Sequence, residues 1–246
     1  MSRFIKVWLT PGSTFDGEER VIAVVPIGSI ERHGDHLPLG TDTIEATYVA
    51  EEVARELGAH LYPPIWYGSS RGLRRFPGTI DVDENALMAY VESVLRGIVE
   101  QGYSVVLIIN GHGGNTNVLR LVARKLAFET GKTFIVISWW VDVAQDVRSK
   151  LFTSPGHAGE DETSAMLCIA PETVDMTKAV DHEVAPPQIT VYSPIIEEYL
   201  YPKAVRGRAS RASREKGCEW LKAVINDIVN KVQNVLKLLK SMKNNQ

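Results

Sequence analysis

The sequence predicts an α/β fold: a mainly parallel sheet with helices on both faces. Three observations lead there. Residues 21–27 and 105–109 are short, apolar, β-branched runs of the kind buried in parallel strands. Residues 43–57 and 116–130 carry apolar side chains at helical spacing. Strand and helix then alternate along the chain, the order that builds right-handed parallel crossovers.

The elements follow in order. The run 21–27 ends at Gly28, and Gly34, Pro38 and Gly40 punctuate what comes next, so 28–40 is an ordered loop. The helix 43–57 has Ile44, Tyr48 and Val53 among its apolar positions and stops at Gly58. A short strand at 59–65 leads into a loop dense in glycine and arginine. Residues 81–83 open a helix whose apolar positions include Leu87, Val91, Leu95 and Val99, ended by Gly102. The strand 105–109 runs straight into Asn-Gly-His-Gly-Gly-Asn at 110–115, then the helix 116–130 and a strand at 132–140. Residues 141–156 give no clear element, 160–169 is helical, and 180–214, with Pro186, Pro187, Pro194 and Pro202, looks irregular. From about 215 to 242 runs one long amphipathic helix.

Composition narrows the function. The 246 residues fit a single domain, with no linker and no internal repeat. A net charge of −3 with acids and bases mixed gives no argument for nucleic acid or a membrane surface. No apolar run is long enough to span a bilayer, and the first ten residues lack the apolar core of a signal peptide. Cys168 and Cys218 lie far apart in helix-like contexts and read as packed thiols, not as a disulfide or a metal pair. A cytoplasmic protein is expected.

The chemistry concentrates in three segments. After Gly28, Glu31, His33, Asp35, His36 and Asp42 fall within a dozen positions. Glu31 and His33 are two apart, so an extended backbone points both the same way, and carboxylate with imidazole suits zinc, manganese or iron. In open parallel sheets such groups collect beyond the carboxyl ends of strands. His112 stands at the tip of the second strong strand. The glycines around it read either as close packing or as an anion cradle before a helix, although neither G-x-G-x-x-G nor G-K-[ST] is present. His157, Glu160, Asp161 and Glu162 precede an apolar helix. Acids there suit the helix dipole, and His157 and Glu160, three apart, share a face. Four of the six histidines lie in these segments.

Taken together, G-S-I-E-R-H-G-D-H-L-P-L-G-T-D at 28–42, F-P-G-T at 76–79, N-G-H-G-G-N and H-A-G-E-D-E-T-S at 157–164 resemble the creatininase (creatinine amidohydrolase) family, in the family's order over most of 21–175. The resemblance implies a single-domain three-layer α/β/α sandwich and a dinuclear metal site that hydrolyses amide-type C–N bonds. Carried over by position, Glu31, Asp42 and His112 match ligands of one metal, and His33 and Asp42 of the other, with Asp42 bridging. Creatininase itself has an aromatic residue and a ligating glutamate where this chain has Gly113 and Gly114. Glu160 is the expected substitute. Three carboxylates, two divalent ions and one bridging hydroxide then balance in charge. His157 matches a proton-transfer residue, which would protonate the leaving nitrogen, and Glu162 either orients His157 or caps the helix. His36 and Asp35 are expected to support the site from behind.

The missing glutamate puts creatinine itself in doubt as substrate. Tyr67, Arg71, Arg74, Arg75, Trp139 and Trp140 are candidate lining residues, each also readable as core or solvated surface. Family members act on a cyclic amide, on a formamide, or on the end of a modified peptide of the mycofactocin type, so a small amide substrate is expected, without nucleic acid or membrane. The family's hexamers and related assemblies imply a homo-oligomer. A non-catalytic nucleotide-binding module using 110–115 is the alternative from a different class.

Overall fold

In the computed structural model, which describes residues 3–243, the strands β1 (Ile5–Lys6), β2 (Ile22–Ile27), β3 (His60–Leu61), β4 (Val105–Asn110) and β5 (Thr133–Ser138) form one sheet. Their order is β1-β3-β2-β4-β5, and every pairing is parallel. Along the chain lie helices α1 (Gly12–Asp16), α2 (Thr41–Leu57), α3 (Glu84–Glu100), α4 (Thr116–Thr130), α5 (Gln145–Leu151), α6 (Glu160–Ile169), α7 (Pro194–Leu200) and α8 (Arg214–Lys243). A small antiparallel pair, β6 (Asp181–His182) and β7 (Gly207–Arg208), stands apart from the main sheet.

The two-residue period of the strands separates two cores. On β4, Val105, Leu107 and Ile109 face Val53 of α2 and Trp220, Val224 and Ile228 of α8. Val106 and Ile108 face Leu95 of α3 and Leu119 and Leu126 of α4. All of these are buried, and each contributes roughly 1.5–3 kcal/mol of transfer free energy. A slip of one residue would exchange the two faces, so packing on both sides fixes the register. The three-layer arrangement expected from the sequence is the observed one.

Departures from the sequence reading have local causes. The strand expected at 59–65 shrinks to His60–Leu61, because Pro63 and Pro64 offer no N–H to a ladder; Ile65 returns as an isolated bridge to Ile27. Residues 5–6 add an edge strand too short to show periodicity. The unassigned 141–156 contains α5, and the irregular 180–214 contains α7, which starts at Pro194, where a missing N–H costs nothing. Helix α2 begins at Thr41, which puts Asp42 in its first turn. No described helix is long and apolar enough to cross a membrane.

One expectation is overturned. Cys168 and Cys218 are not separate thiols but a disulfide, with Sγ atoms 1.97 Å apart, tying α6 to α8. The two helices pack closely enough that a Cβ on residue 217 would lie 1.9 Å from the Ser164 carbonyl oxygen, which only glycine avoids. That proximity is tertiary and invisible in the spacing of the cysteines. Closing a loop of this size stabilises a protein by about 2–4 kcal/mol. The double variant Cys168→Ser, Cys218→Ser is expected to lose that much in urea unfolding, and wild type treated with dithiothreitol to lose the same. Identical unfolding midpoints would contradict the assignment.

Candidate metal centre

The sheet order dictates where a site can form. The chain leaves β2 for α2 on one face and leaves β4 for α4 on the opposite face. The crevice between these adjacent strands opens at their carboxyl ends, the switch point where ligands collect in such sheets. The end of β4 abuts the first turn of α2 so closely that a Cβ on residue 111 would lie 2.1 Å from the Asp42 carbonyl oxygen. Glycine there lets Asp42 stand beside the ends of both strands.

Asp42 is the centre of the cluster. Its Oδ1 lies 3.0 Å from His33 Nε2 and its Oδ2 2.9 Å from His112 Nδ1. Ser29 Oγ donates to Oδ2 at 2.6 Å. Glu31 Oε1 lies 3.5 Å from His112 Nδ1 and 3.6 Å from His157 Nδ1. Glu162 Oε2 is 3.8 Å from His33 Nε2 and accepts the Ala158 N–H at 2.6 Å. Three sets of possible ligand atoms each converge within 4.8 Å: Glu31, Asp42 and His112; His33, Asp42 and Glu162; and Glu31, His33 and His157.

The histidines are oriented for a cation. His33 Nδ1 meets the Glu31 carbonyl oxygen at 3.1 Å, His112 Nε2 meets that of Ser69 at 2.7 Å, and His157 Nε2 meets that of Arg32 at 2.9 Å. A carbonyl only accepts, so each of those nitrogens carries its proton and the other nitrogen turns a lone pair toward the carboxylates. Lone pairs facing carboxylate oxygens repel unless a positive charge lies between them. His33 Nε2 carries the point most directly: it is buried and 3.0 Å from Asp42, yet it has no well-directed hydrogen-bond partner. The residues therefore fit divalent ions.

Without cations, protons answer the same field. Burial would lower His33, but the Asp42 charge outweighs it and pushes the group up to about 10. Burial is likewise outweighed at His112, where Glu31 and Asp42 raise the pKa to about 9. Burial raises Asp42, yet His33 and His112 together hold it well below the usual carboxylate range. Glu162 is pushed up to about 8, chiefly by burial. Burial, joined by the positive His33, keeps His157 well below its ordinary value and so neutral.

Among the residues expected from sequence, Glu31, His33, Asp42, His112 and His157 come together. Glu160 does not. Its carboxylate turns away, accepting the Thr153 and Ser154 N–H groups at 2.8 and 3.0 Å and the Lys216 ammonium at 2.8 Å. Glu162, two residues on, turns into the cluster instead. A Cβ on residue 114 would sit 2.0 Å from the Ser69 carbonyl oxygen, so position 114 itself cannot carry a ligand side chain in this conformation. His36 lies behind the site with Nε2 2.9 Å from Thr163 Oγ1, and Asp35 pairs with Arg32 at the surface. Trp139, expected as a lining residue, is instead buried in the core with its ring 4.8 Å from that of Trp220. Trp140 borders Gly113, and Tyr67 is exposed. Arg71 is neutralised by Asp81, Asp83 and Glu84, and Arg75 braces the Gly72 and Tyr201 carbonyls. The sequence reading passed over Tyr201, whose ring meets that of His157 edge-on at 5.5 Å.

Comparison with known proteins agrees with this geometry. A model of the creatininase family, described as creatinine amidohydrolase, matches residues 14–232. The chain belongs to the creatininase family. It is 30% identical over 243 residues to the 3-dehydro-scyllo-inosose hydrolase of Thermotoga maritima, covering 88% of this chain and 78% of that one. It is 29% identical over 231 residues to the creatinine amidohydrolase of Pseudomonas putida, covering 86% and 88%. A manganese-containing creatininase structure superposes with a TM-score of 0.80 at 27% identity, covering 95% of this chain and 98% of that one. As a creatininase-family member the chain is a hydrolase of the amidohydrolase type that binds divalent metal.

The raised pKa values of His33 and His112 leave both protonated at neutral pH, so a metal taken up by these nitrogens would displace their protons. Zinc binding to metal-free protein at pH 7, measured calorimetrically in buffers of different ionisation enthalpy, is expected to release at least two protons per chain. The raised pKa values also set a sign: their stabilising contribution is complete below the ordinary histidine value near 6.5 and disappears as pH rises through about 9 and about 10. Metal-free protein should therefore melt at a lower temperature at pH 10 than at pH 7. Proton-neutral binding would contradict the ligand geometry.

Proposed function

We propose that this protein hydrolyses a C–N bond of a small amide at a dinuclear divalent metal centre. In this reading Glu31, Asp42 and His112 hold one ion, His33, Asp42 and Glu162 hold the other, and Asp42 lies between them. The observation that carries it is the shared orientation of the three histidines, each with one nitrogen fixed by a backbone carbonyl and the other facing carboxylates. Ions so held supply Lewis-acid polarisation of the scissile carbonyl and a nucleophile at neutral pH.

The chain's own groups supply the rest. Glu31, His33 and Asp42 are almost fully buried, whereas His112, His157 and Glu162 keep 11–15% side-chain exposure and form the open edge through which substrate enters. His157 is neutral and its Nε2–H is fixed on Arg32, so Nδ1 is the atom that takes a proton and passes it to the leaving nitrogen. The His33 ring, 4.2 Å from that of His157, limits its movement. Ser29 and Ser69, through their bonds to Asp42 and His112, keep the ligands in place before substrate arrives.

Elemental analysis of metal-loaded protein should find about two ions per chain, falling toward one in Glu162→Gln and unchanged in Glu160→Gln. His157→Ala should keep its metal and lose about 100- to 10,000-fold in turnover of amides found by a screen of cyclic amides, formamides and peptides with a chelator control. Full metal content in Glu162→Gln, or undiminished turnover in His157→Ala, would overturn the assignment.

A further inference from the structure

We propose that Arg206 forms an anion subsite beside the metal centre, so that the amide hydrolysed here carries a carboxylate. The subsite deepens the amidohydrolase reading and rests on it for the reaction alone. Its first support is an unanswered charge. Among the described residues, the Arg206 guanidinium has no carboxylate at ion-pair distance and no hydrogen-bond acceptor; it lies over the face of the Tyr201 ring, with Cζ 5.5 Å from the centroid. Glu197 feels both Arg75 and Arg206 but makes an ion pair with neither. The other partly buried arginines near the site are answered, Arg148 by Asp161 and Arg208 by Glu183. A half-buried guanidinium whose N–H groups have no acceptor keeps its hydrogen-bonding capacity for a ligand.

Position supplies the second support. The Arg206 backbone N–H donates to the His157 carbonyl oxygen at 2.8 Å. Tyr201, under the guanidinium, meets the His157 ring at 86°. Arg206 is thus one ring away from the residue that moves the proton. Third, Arg206 also lines a cavity of about 340 Å³ with Ser154, Pro155, Glu183, Val184 and Pro186. The volume suits the acid end of a small molecule. Arg206 is the only cation in that lining, and Glu183, though held by Arg208, still disfavours a doubly charged group. A single guanidinium fork beside one acid matches a planar, singly charged carboxylate better than a phosphate.

The test uses binding, so that it does not depend on turnover. N-acetylglycine and N-acetylglycinamide differ only in the carboxylate. Metal-loaded wild type should bind the acid about tenfold or more tightly than the amide by calorimetry, as a charge-assisted hydrogen-bonded pair predicts. Arg206→Met should erase that preference with metal content unchanged, and Arg71→Met should keep it. Arg206→Gln gives the same reading should the methionine variant not fold, and Arg206→Lys should restore part of the preference. No preference in wild type, or a preference that survives in Arg206→Met because the metals alone hold the acid, overturns the subsite. Loss of the preference in a protein that turns over no amide would uphold the subsite and overturn the hydrolase reading instead.

Discussion

The Asp42 carboxylate is committed in two directions at once, and the surrounding structure is arranged to allow it. One oxygen faces His33, from the loop after β2; the other faces His112, from the loop after β4. Removing such a charge from water costs several kcal/mol, which only surrounding positive charge and hydrogen bonds offset. The first turn of α2 helps, because a helix N-terminus favours negative charge. Ser29 donates to one oxygen, and the adjacent parallel strands fix the two histidines on either side. Move Asp42 by one residue and a 100° turn of the helix carries it out of the crevice.

The run of three acids opening α6 shows how one short sequence can serve three purposes. Glu160 reaches back to the Thr153 and Ser154 N–H groups, Asp161 to that of Gly156 and to Arg148, and Glu162 to that of Ala158. All three therefore tie the loop that carries His157 to the helix start. Ala158 is held there with φ of 48°, a left-handed conformation unfavourable for alanine and sustained by these bonds. Of the three, only Glu162 also faces the cluster, with the same Oε2 that accepts the Ala158 N–H lying 3.8 Å from His33 Nε2. Lys216 completes the charge of Glu160, and the disulfide between α6 and α8 lies behind the same junction.

This division also marks what could be read in the sequence. The sheet, the long helices and the convergence of Glu31, His33, Asp42 and His112 follow from period and strand-end position, which are local properties. Gly113 and Gly114, set against the family resemblance, pointed to a carboxylate from another loop, and α6 turns one, Glu162, into the cluster. The choice between Glu160 and Glu162 was not legible, because two residues apart on a helix face nearly opposite ways and the phase is set by Lys216, 56 residues distant. The disulfide and the contact of Tyr201 with His157 are likewise products of packing between segments far apart in the chain. Trp139 and Trp140 were read alike from sequence, but their rings meet edge-on at 6.4 Å and only Trp139 is fully buried, against Trp220 of the distant α8.

The most direct examination of the account is anomalous X-ray diffraction from crystals of the metal-loaded protein. Two peaks are expected, roughly 3.5–4 Å apart, one bounded by Glu31, Asp42 and His112 and the other by His33, Asp42 and Glu162. A single peak, or a peak ligated by Glu160, would contradict it.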